Sequence, residues 1–456
     1  MRRINILLPL FSLLLSSCMV GPDYHSPDAS VAKSQDIPAQ WWVVFHSPEI
    51  NNLVTAGLAN SPTLVAANAT LKEAQENLNA QIGSSLLPAI NGQASGTRQR
   101  VTTSTTGQTT SPTIFNLYNA TVNVSYTLDV FGGSRRQIEA LRAQVNYQRF
   151  EFEAARLTLT SNIVTTAITI ASLEEQIQAT QQLIQSQKNQ LNIVQKQVQL
   201  GSASGADVLT QDSELASTQA TLPPLRQRLA QSQDALAVLV GQAPSDFKLL
   251  KLNLNELTLP AKLPTSLPSQ LARQRPDIRA QEALLHAASA QVGVATANLY
   301  PQITLSGAYG GSGLSTANLF SPANIIWNYG GTFLQPIFHG GALLAQRRAA
   351  IDAFDQTCAQ YRQVVLQGFQ NVADTLQALQ NDADAIKSQQ LAARSAYDSL
   401  TMTQKQYKLG GVSYLNLLTA QRQYQTAKIN LIQAKAAQFT DTAALFQALG
   451  GGWWQK

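Results

Sequence analysis

Two periodicities divide the chain. Tyr118, Ala120, Val122, Val124, Tyr126, Leu128 and Val130 alternate with Asn119, Thr121, Asn123, Ser125, Thr127 and Asp129. The same period of two returns where Ile303, Leu305 and Tyr309 alternate with Gln302, Thr304 and Ser306, and where Ile325, Trp327, Tyr329 and Phe333 share one face. This spacing predicts strands with one apolar face. Elsewhere the period lengthens. Ile163, Ile170, Ile177, Ile184, Leu191 and Val198 stand seven apart within residues 134–199, a run of 66 without Pro or Gly. Such a run predicts a helix of about 99 Å, and the sustained heptad predicts coiled-coil contact along it. Residues 343–408 form a second run of 66, interrupted only by Gly368.

The pattern is written twice. The segment from Leu58 (LANSPTLVAANATLKEAQENLNAQIGSSLLPAI) parallels that from Leu271 (LARQRPDIRAQEALLHAASAQVGVATANLYPQI), with Pro62 matching Pro276 and Pro88 matching Pro301. VFGGSRRQIEALRA at Val130 parallels IFHGGALLAQRRAA at Ile337, and LGSASGADVLTQ at Leu200 parallels LGGVSYLNLLTA at Leu409, offset 209. Adding 209 to the heptad positions gives Val372, Leu379, Ile386, Ala393, Leu400 and Tyr407, a second seam in the same register. Internal repetition of this kind predicts two halves of one topology, residues 49–240 and 268–449.

Each half reads helix, two strands, long helix, turn, helix. Pro62 and Pro276 sit at helix starts, where a missing N–H costs nothing. The strands are expected near 87–101 and 113–131, and again near 300–311 and 325–338, joined by small polar loops at 101–112 and 312–324. The shorter helices, 62–86 with 206–240 and 276–300 with 413–449, sum to nearly one long helix per half, so the simplest geometry stacks them end to end beside it. Pro223-Pro224 should mark a kink or join. The Pro-rich links at 21–48 and 241–268 fit neither period and are expected outside the helical layer, in an equatorial region built from the tail 18–48 and the linker 241–267, with 450–456 as a C-terminal tail.

The N-terminus reads as an address. Arg2 and Arg3 precede an apolar run over 4–15, too short to cross a bilayer core of about 30 Å, then Leu15-Ser16-Ser17-Cys18. Residues 1–17 are therefore a signal peptide, and the small residues before Cys18 resemble a bacterial lipobox, in which the Cys carries diacylglycerol and a new acylated amino group. An ordinary signal peptide with a Cys beside its cut site is the alternative. Several acyl chains, at ~0.8 kcal/mol per buried CH₂, would hold the mature N-terminus on a membrane. Met19 at the second mature position resembles lipoproteins sorted to the outer membrane. Any further crossing must use strands, because no other long apolar run exists. Ten-residue alternation with aromatic ends is the transmembrane-barrel pattern. A soluble half-buried sheet shows it too, strand by strand, but four such strands beside a lipoprotein signal favour the barrel.

Composition narrows the function classes. Only 13% of residues are charged, about half the globular norm of roughly 25%. Neutral polar residues replace them, Gln at about one residue in nine. Net charge is +5 over 456 residues and no Lys/Arg cluster resembles a nucleic-acid arm. Two Cys cannot build a disulfide framework, and His25, His46, His286 and His339 have no ligand spacing, so no metal site, cofactor or catalytic constellation is expected. Neither a GxxxxGK phosphate loop nor a GxSxG elbow occurs. The chain does not read as an enzyme. Four strands cannot close a barrel, and open edges do not exist in lipid. Two copies supply eight strands, whose interior is filled by side chains; three supply twelve, enough for a pore, so a homotrimer is preferred for a conducting protein.

Several segments resemble the TolC-like outer-membrane factor family, most closely its NodT-type efflux lipoproteins. They are the lipobox at Cys18, GPDYHSP at Gly21, WWVVFHSPEINNLV at Trp41, YTLDVFGGSRRQIEA at Tyr126, LARQRPDIRAQEA at Leu271, LYPQITLSGAYG at Leu299, IFHGGALLAQRRAA at Ile337 and LGGGWW at Leu449. The resemblance implies a mixed α and β membrane protein of a Gram-negative outer membrane. In it a trimeric barrel, four strands per chain and twelve in total, continues into a long periplasmic α-helical coiled-coil barrel. It also implies a periplasmic adaptor and an inner-membrane pump, of the resistance–nodulation–division class, as partners. The function implied is passive exit of efflux cargo; the alternatives are the exit duct of a type I protein secretion system, or a non-conducting structural lipoprotein spanning the periplasm.

By the same resemblance the tunnel's inner end lies at the turns 200–207 and 409–416. Gly201, Ser204, Gly410, Gly411 and Ser413 are the candidate adaptor contacts, with the glycines permitting the reversal. Related sequences carry acidic residues on the second turn, where this chain has Asn416 and Thr419. Leu415 is the candidate apolar constriction, since hydrophobic rings close pores by dewetting, and Asp207 keeps a carboxylate nearby. Packing between helices is the alternative role for Leu415 and Leu418. Replacing Cys18→Ser is expected to abolish metabolic labelling with palmitate; persistent labelling would overturn the lipid assignment.

Overall fold

The structure, a computed structural model, describes residues 19–26, 37–101, 112–248, 251–260 and 274–455. The signal peptide, Cys18, residues 27–36 of the tail, the loop 102–111 and residues 249–250 and 261–273 of the linker region lie outside the described residues. The elements are α1 (Pro48–Asn60), α2 (Pro62–Leu86), β1 (Ala89–Val101), β2 (Thr113–Leu128), α3 (Gly133–Gln199), α4 (Gly205–Ala220), α5 (Leu222–Leu239), α6 (Pro276–Ala297), β3 (Gln302–Gly313), β4 (Ile325–Leu334), α7 (Ala342–Lys408) and α8 (Tyr414–Ala448). Helices α3 and α7 are each 67 residues without interruption. The predicted helix over 206–240 is two helices: Thr221 stands between them, and the Pro pair sits in the first turn of α5, where proline needs no N–H. Helix α6 ends three residues before Tyr300, because Pro301 biases its predecessor away from helical ψ. Strand β4 stops at Leu334, short of the expected 338, as Pro336 has no N–H for a ladder.

The chain divides into two compact units. One holds residues up to 27 with 70–149 and 280–362, and its centre is an antiparallel sheet in the order β1-β2-β3-β4. Opposed residues share a face, so the register sorts the side chains. Gly92, Val122, Tyr309 and Trp327 form one cross-strand row; Ile90, Val124, Gly307 and Tyr329 form the next. Leu128, Ile303 and Phe333 lie on that same face, while Asn123, Ala308 and Asn328 lie on the other. The sheet therefore has one apolar and one polar face. The apolar one is not covered within the chain: Ile90, Tyr309, Trp327 and Tyr329 are all exposed.

The other unit, residues 28–69, 150–279 and 363–456, contains the main core. Eight of the twelve heptad positions are buried, Ile163, Ile170, Ile177 and Ile184 on α3 and Val372, Leu379, Ala393 and Leu400 on α7, while Leu191, Val198, Ile386 and Tyr407 are half-buried. Both Pro-rich links contribute to the unit's apolar cluster, the first through Trp41 and Phe45 and the second through Leu252, Leu254 and Leu257. Trp41 stacks on Phe446 at 5.5 Å and Phe45 packs against Phe439 at 6.2 Å, in one cluster with Ile50, Ile168, Leu254 and Leu449. The two links also hold each other, since the Thr258 N–H donates to the Phe45 carbonyl and His46 Nδ1 lies 2.7 Å from Thr258 Oγ1. Large aromatics bury enough area to stabilise a segment that has no period of its own. Among the described residues no helix is long and apolar enough to cross a membrane.

Candidate functional site at the two helix turns

Both turns use one backbone device. Helix α3 ends with Gly201 at φ +74°, its N–H donating to the Val198 carbonyl and the Ser202 N–H to Gln197. Helix α7 ends with Gly410 at φ +75°, its N–H donating to Tyr407 and the Gly411 N–H to Gln406. These are Schellman caps, and a left-handed residue at that position favours glycine. Gly411, also expected to permit the reversal, has ordinary φ; its contribution is its N–H.

The next helix of each pair opens on serine. Ser204 Oγ accepts from the Asp207 N–H at 3.2 Å, and Asp207 Oδ2 accepts from the Ser204 N–H at 3.0 Å and its hydroxyl at 2.9 Å, a reciprocal capping box. Ser413 Oγ likewise accepts from the Asn416 N–H, at 3.4 Å, without a return bond. Asp207 is thus a cap whose charge also favours the helix N-terminus. Leu415, Asn416 and Thr419 form one exposed stripe on α8, with Leu415 66% exposed and Thr419 Oγ1 donating to the Leu415 carbonyl. Leu418 is different. With Leu417, Tyr414, Val194 and Leu400 it is buried in a small apolar cluster that joins the two helix pairs.

Polar contacts fasten the same pairs. Tyr407 donates its hydroxyl to Gln197 Oε1 at 3.1 Å. Arg422 on α8 donates through Nε to Glu214 Oε1 at 2.8 Å and through Nη2 to Oε2, and Glu214 is buried. A charged fork of this kind is among the stronger hydrogen-bonded pairs. Burial first, then the Asp207 charge, pushes the Tyr407 phenol up; burial does the same to Tyr414, so both keep their protons at neutral pH. Sequence reasoning missed these partners because no local spacing links residues 208 and 210 positions apart. The signal was available in the repeat offset of 209, which brings equivalent heights of the two hairpins side by side.

A model of the outer membrane efflux protein family matches residues 53–242 and 267–451. The chain belongs to that family. A probable efflux pump outer membrane protein, TtgC, of Pseudomonas putida is 28% identical, over 98% of this chain and 96% of its own. The pyoverdine export outer membrane protein OpmQ of Pseudomonas aeruginosa is 28% identical, over 91% of this chain and 87% of its own. Among solved structures the outer-membrane channel OprN superposes with TM-score 0.90 at 26% identity, covering 96% of this chain and 100% of that one. As a member of this efflux protein family the chain is an outer-membrane channel component rather than an enzyme.

One further pair was not legible. Burial, then the Asp441 carboxylate on α8, pushes Asp382 on α7 up to about 6. An ordinary Asp titrates near 3.9, so between about pH 4 and 6 the folded chain holds a proton that the unfolded chain has released. That contribution to stability is present below pH 4 and is lost as pH rises through 6. Asp382→Asn is expected to flatten this slope and to raise the melting temperature at pH 7. Melting curves of both proteins from pH 4 to 8 check it; a difference independent of pH would refute it.

Proposed function

We propose that three copies of the chain close their four-stranded sheets into a twelve-stranded outer-membrane barrel, continued by a periplasmic helical tunnel. Cargo leaves through it passively, delivered by a periplasmic adaptor and an inner-membrane pump of the resistance–nodulation–division class. One observation carries the closure: a sheet with one apolar and one polar face and two unpaired edges, β1 and β4. In lipid the apolar face is solvated by acyl chains and the polar face by water, but the edges must find partners. Names of relatives point to efflux and pyoverdine export for those proteins; cargo here is read only as what the pump delivers. Cys18 is the proposed lipid attachment.

The internal repeat says how copies meet. Phe131, just after β2, stacks on Tyr300, just before β3, at 4.8 Å. Their counterparts in the other order are Phe338, just after β4, and Leu87, just before β1, and both are exposed, at 86% and 61%. β4 of one copy beside β1 of the next would repeat the covered contact across the interface. A Leu87→Cys, Phe338→Cys double variant in a Cys358→Ser background is expected to crosslink to three copies and no further. A ladder ending at two, or a crosslink within one copy only, would refute the trimer.

At the turns the proposed adaptor contacts are Gly201, Ser204, Gly410, Gly411 and Ser413, and the proposed constriction is the Leu415 stripe with Asn416 and Thr419. Its exposure within the chain supports that role, since a residue that closes a pore must be free of its own helix pair. Low resting conductance in planar bilayers is expected to rise in Leu415→Ser and to change little with millimolar Mg²⁺. Strong divalent block that persists in Leu415→Ser but is lost in Asp207→Asn would instead place the constriction on the first turn.

A further inference from the structure

Arg136, in the first turn of α3, is 1% exposed, a depth at which an unpaired guanidinium would be severely penalised. Nη1 donates to Glu139 Oε2 at 2.8 Å, one turn along the same helix. The other hydrogen bonds of its side chain go to an irregular segment more than a hundred residues away. Nη2 donates to Asp23 Oδ1 at 2.6 Å and to the Gly21 carbonyl at 3.5 Å, and Nε donates to the Val20 carbonyl at 3.3 Å. The segment has two further holds. The Val20 N–H donates to the Phe131 carbonyl at 3.2 Å, and Tyr24 stacks on His286 of α6 at 4.3 Å. His286 in turn meets Glu139 Oε1 at 2.9 Å, which closes the circuit back to Arg136.

The backbone is shaped to allow this. A Cβ on Gly21 would stand 2.5 Å from the Gly293 Cα, and a Cβ on Gly293 would stand 2.8 Å from the Arg136 Cδ. Only two glycines facing each other let the segment pass between α3 and α6 with the guanidinium beneath it. The segment has no helix or strand of its own, so tertiary contacts such as these must order it, against roughly 1–2 kcal/mol of backbone entropy per residue. It bridges the two halves of the repeat: Phe131, Arg136 and Glu139 open α3 after β2, while His286 and Gly293 belong to α6 before β3. β2 and β3 are the one pair of adjacent strands contributed by different halves.

We propose that residues 20–24 are a docked strap whose receptor is Arg136. By pinning the β2–α3 and α6–β3 joints together, the strap sets the angle at which β2 and β3 pair before the sheet enters the membrane. Arg136 is a positioning residue in this scheme. The strap rests on the reading of the sheet as a membrane wall; it does not require the lipid on Cys18.

The test uses the full-length protein, purified from outer membranes, with Asp23→Asn, Gly293→Ala and Arg136→Gln. Asp23 is largely exposed and its carboxylate pairs with Arg136 from outside the helical packing, so its variant leaves α3 packing intact if the arginine variant fails to fold. Amide exchange at Val20 is expected to rise about tenfold in Asp23→Asn, as suits loss of one charge-assisted hydrogen bond, and further in Gly293→Ala. Exchange at the β2–β3 amides around Val122 and Tyr309 should rise with it, and the yield of trimer in the outer membrane should fall, while exchange in α8 stays unchanged. Unchanged exchange at Val20 in both variants would overturn the docking. Faster exchange at Val20 with β2–β3 protection and trimer yield intact would overturn the positioning role. A wild-type protein that gives no outer-membrane trimer would count against the proposed function instead, since strap exchange is read independently of it.

Discussion

Backbone polarity at the two sheet edges is the constraint on which the architecture turns. Side chains along β4 and the first half of β1 suit lipid on one face and water on the other, with Arg98 and Arg100 following on the apolar side of β1. Yet among the described residues the outward N–H and C=O groups of both edge strands have no strand partner. In hydrocarbon each such group costs several kcal/mol, more than any side-chain contact in the sheet returns. On the proposed reading, a four-stranded sheet with these faces is one part of a larger closed barrel. The exposed Phe338 and Leu87, set against the covered pair Phe131 and Tyr300, show the same incompleteness at the level of side chains.

The helical unit solves a different problem, that of keeping very long helices in register with few charges. A heptad seam does this with one apolar residue every second turn and leaves the remaining faces to neutral amides. Stability is not uniform along it. The large cluster around Trp41, Phe45, Ile168 and Phe446 draws on helices and both links, whereas the cluster near the turns has six fully buried members. Between them Gln187 and Gln421 are buried with neither amide atom hydrogen-bonded to protein. Each such group left dry lowers stability by about 1–3 kcal/mol. Local opening is expected to be cheapest at the turn end, where an outer-membrane duct has to change shape.

Period carried most of what was legible in the sequence. Seven-residue spacing located the buried face of α3 and α7, and alternation located the faces of β2 and β3, because both rest on geometry internal to one element. Element ends were less legible where a single proline decided them, as at Tyr300 and Leu334. The burial of the first link was not legible for a related reason: Trp41 and Phe45 sit in a segment without period, and only their partners Phe446 and Phe439, some four hundred residues on, reveal them as core. Glu214 with Arg422 and Arg136 with Asp23 were invisible on the same grounds. Contacts between distant elements leave no local spacing, although the repeat offset narrows where the first of them can occur.

The turns show how duplication and divergence interact at one site. Asp207 and Asn416 are equivalent positions, each the third residue of its helix after a serine cap. The carboxylate can return the serine's hydrogen bond and complement the helix dipole; in the structure the amide does not return it. With two hydrogen bonds from Ser204, one from its N–H and one from its hydroxyl, the Asp207 carboxylate is already engaged, so a cation at this turn would have to compete with the cap. Nothing similar restrains the second turn, where Leu415 and Asn416 stand exposed without charge. A constriction built there has no fixed charge to hold or repel an ion, and its barrier must come from dewetting and from width alone. On the proposed reading of this turn as the constriction, an uncharged Asn416 leaves the pore to be held shut by surface tension rather than by electrostatics.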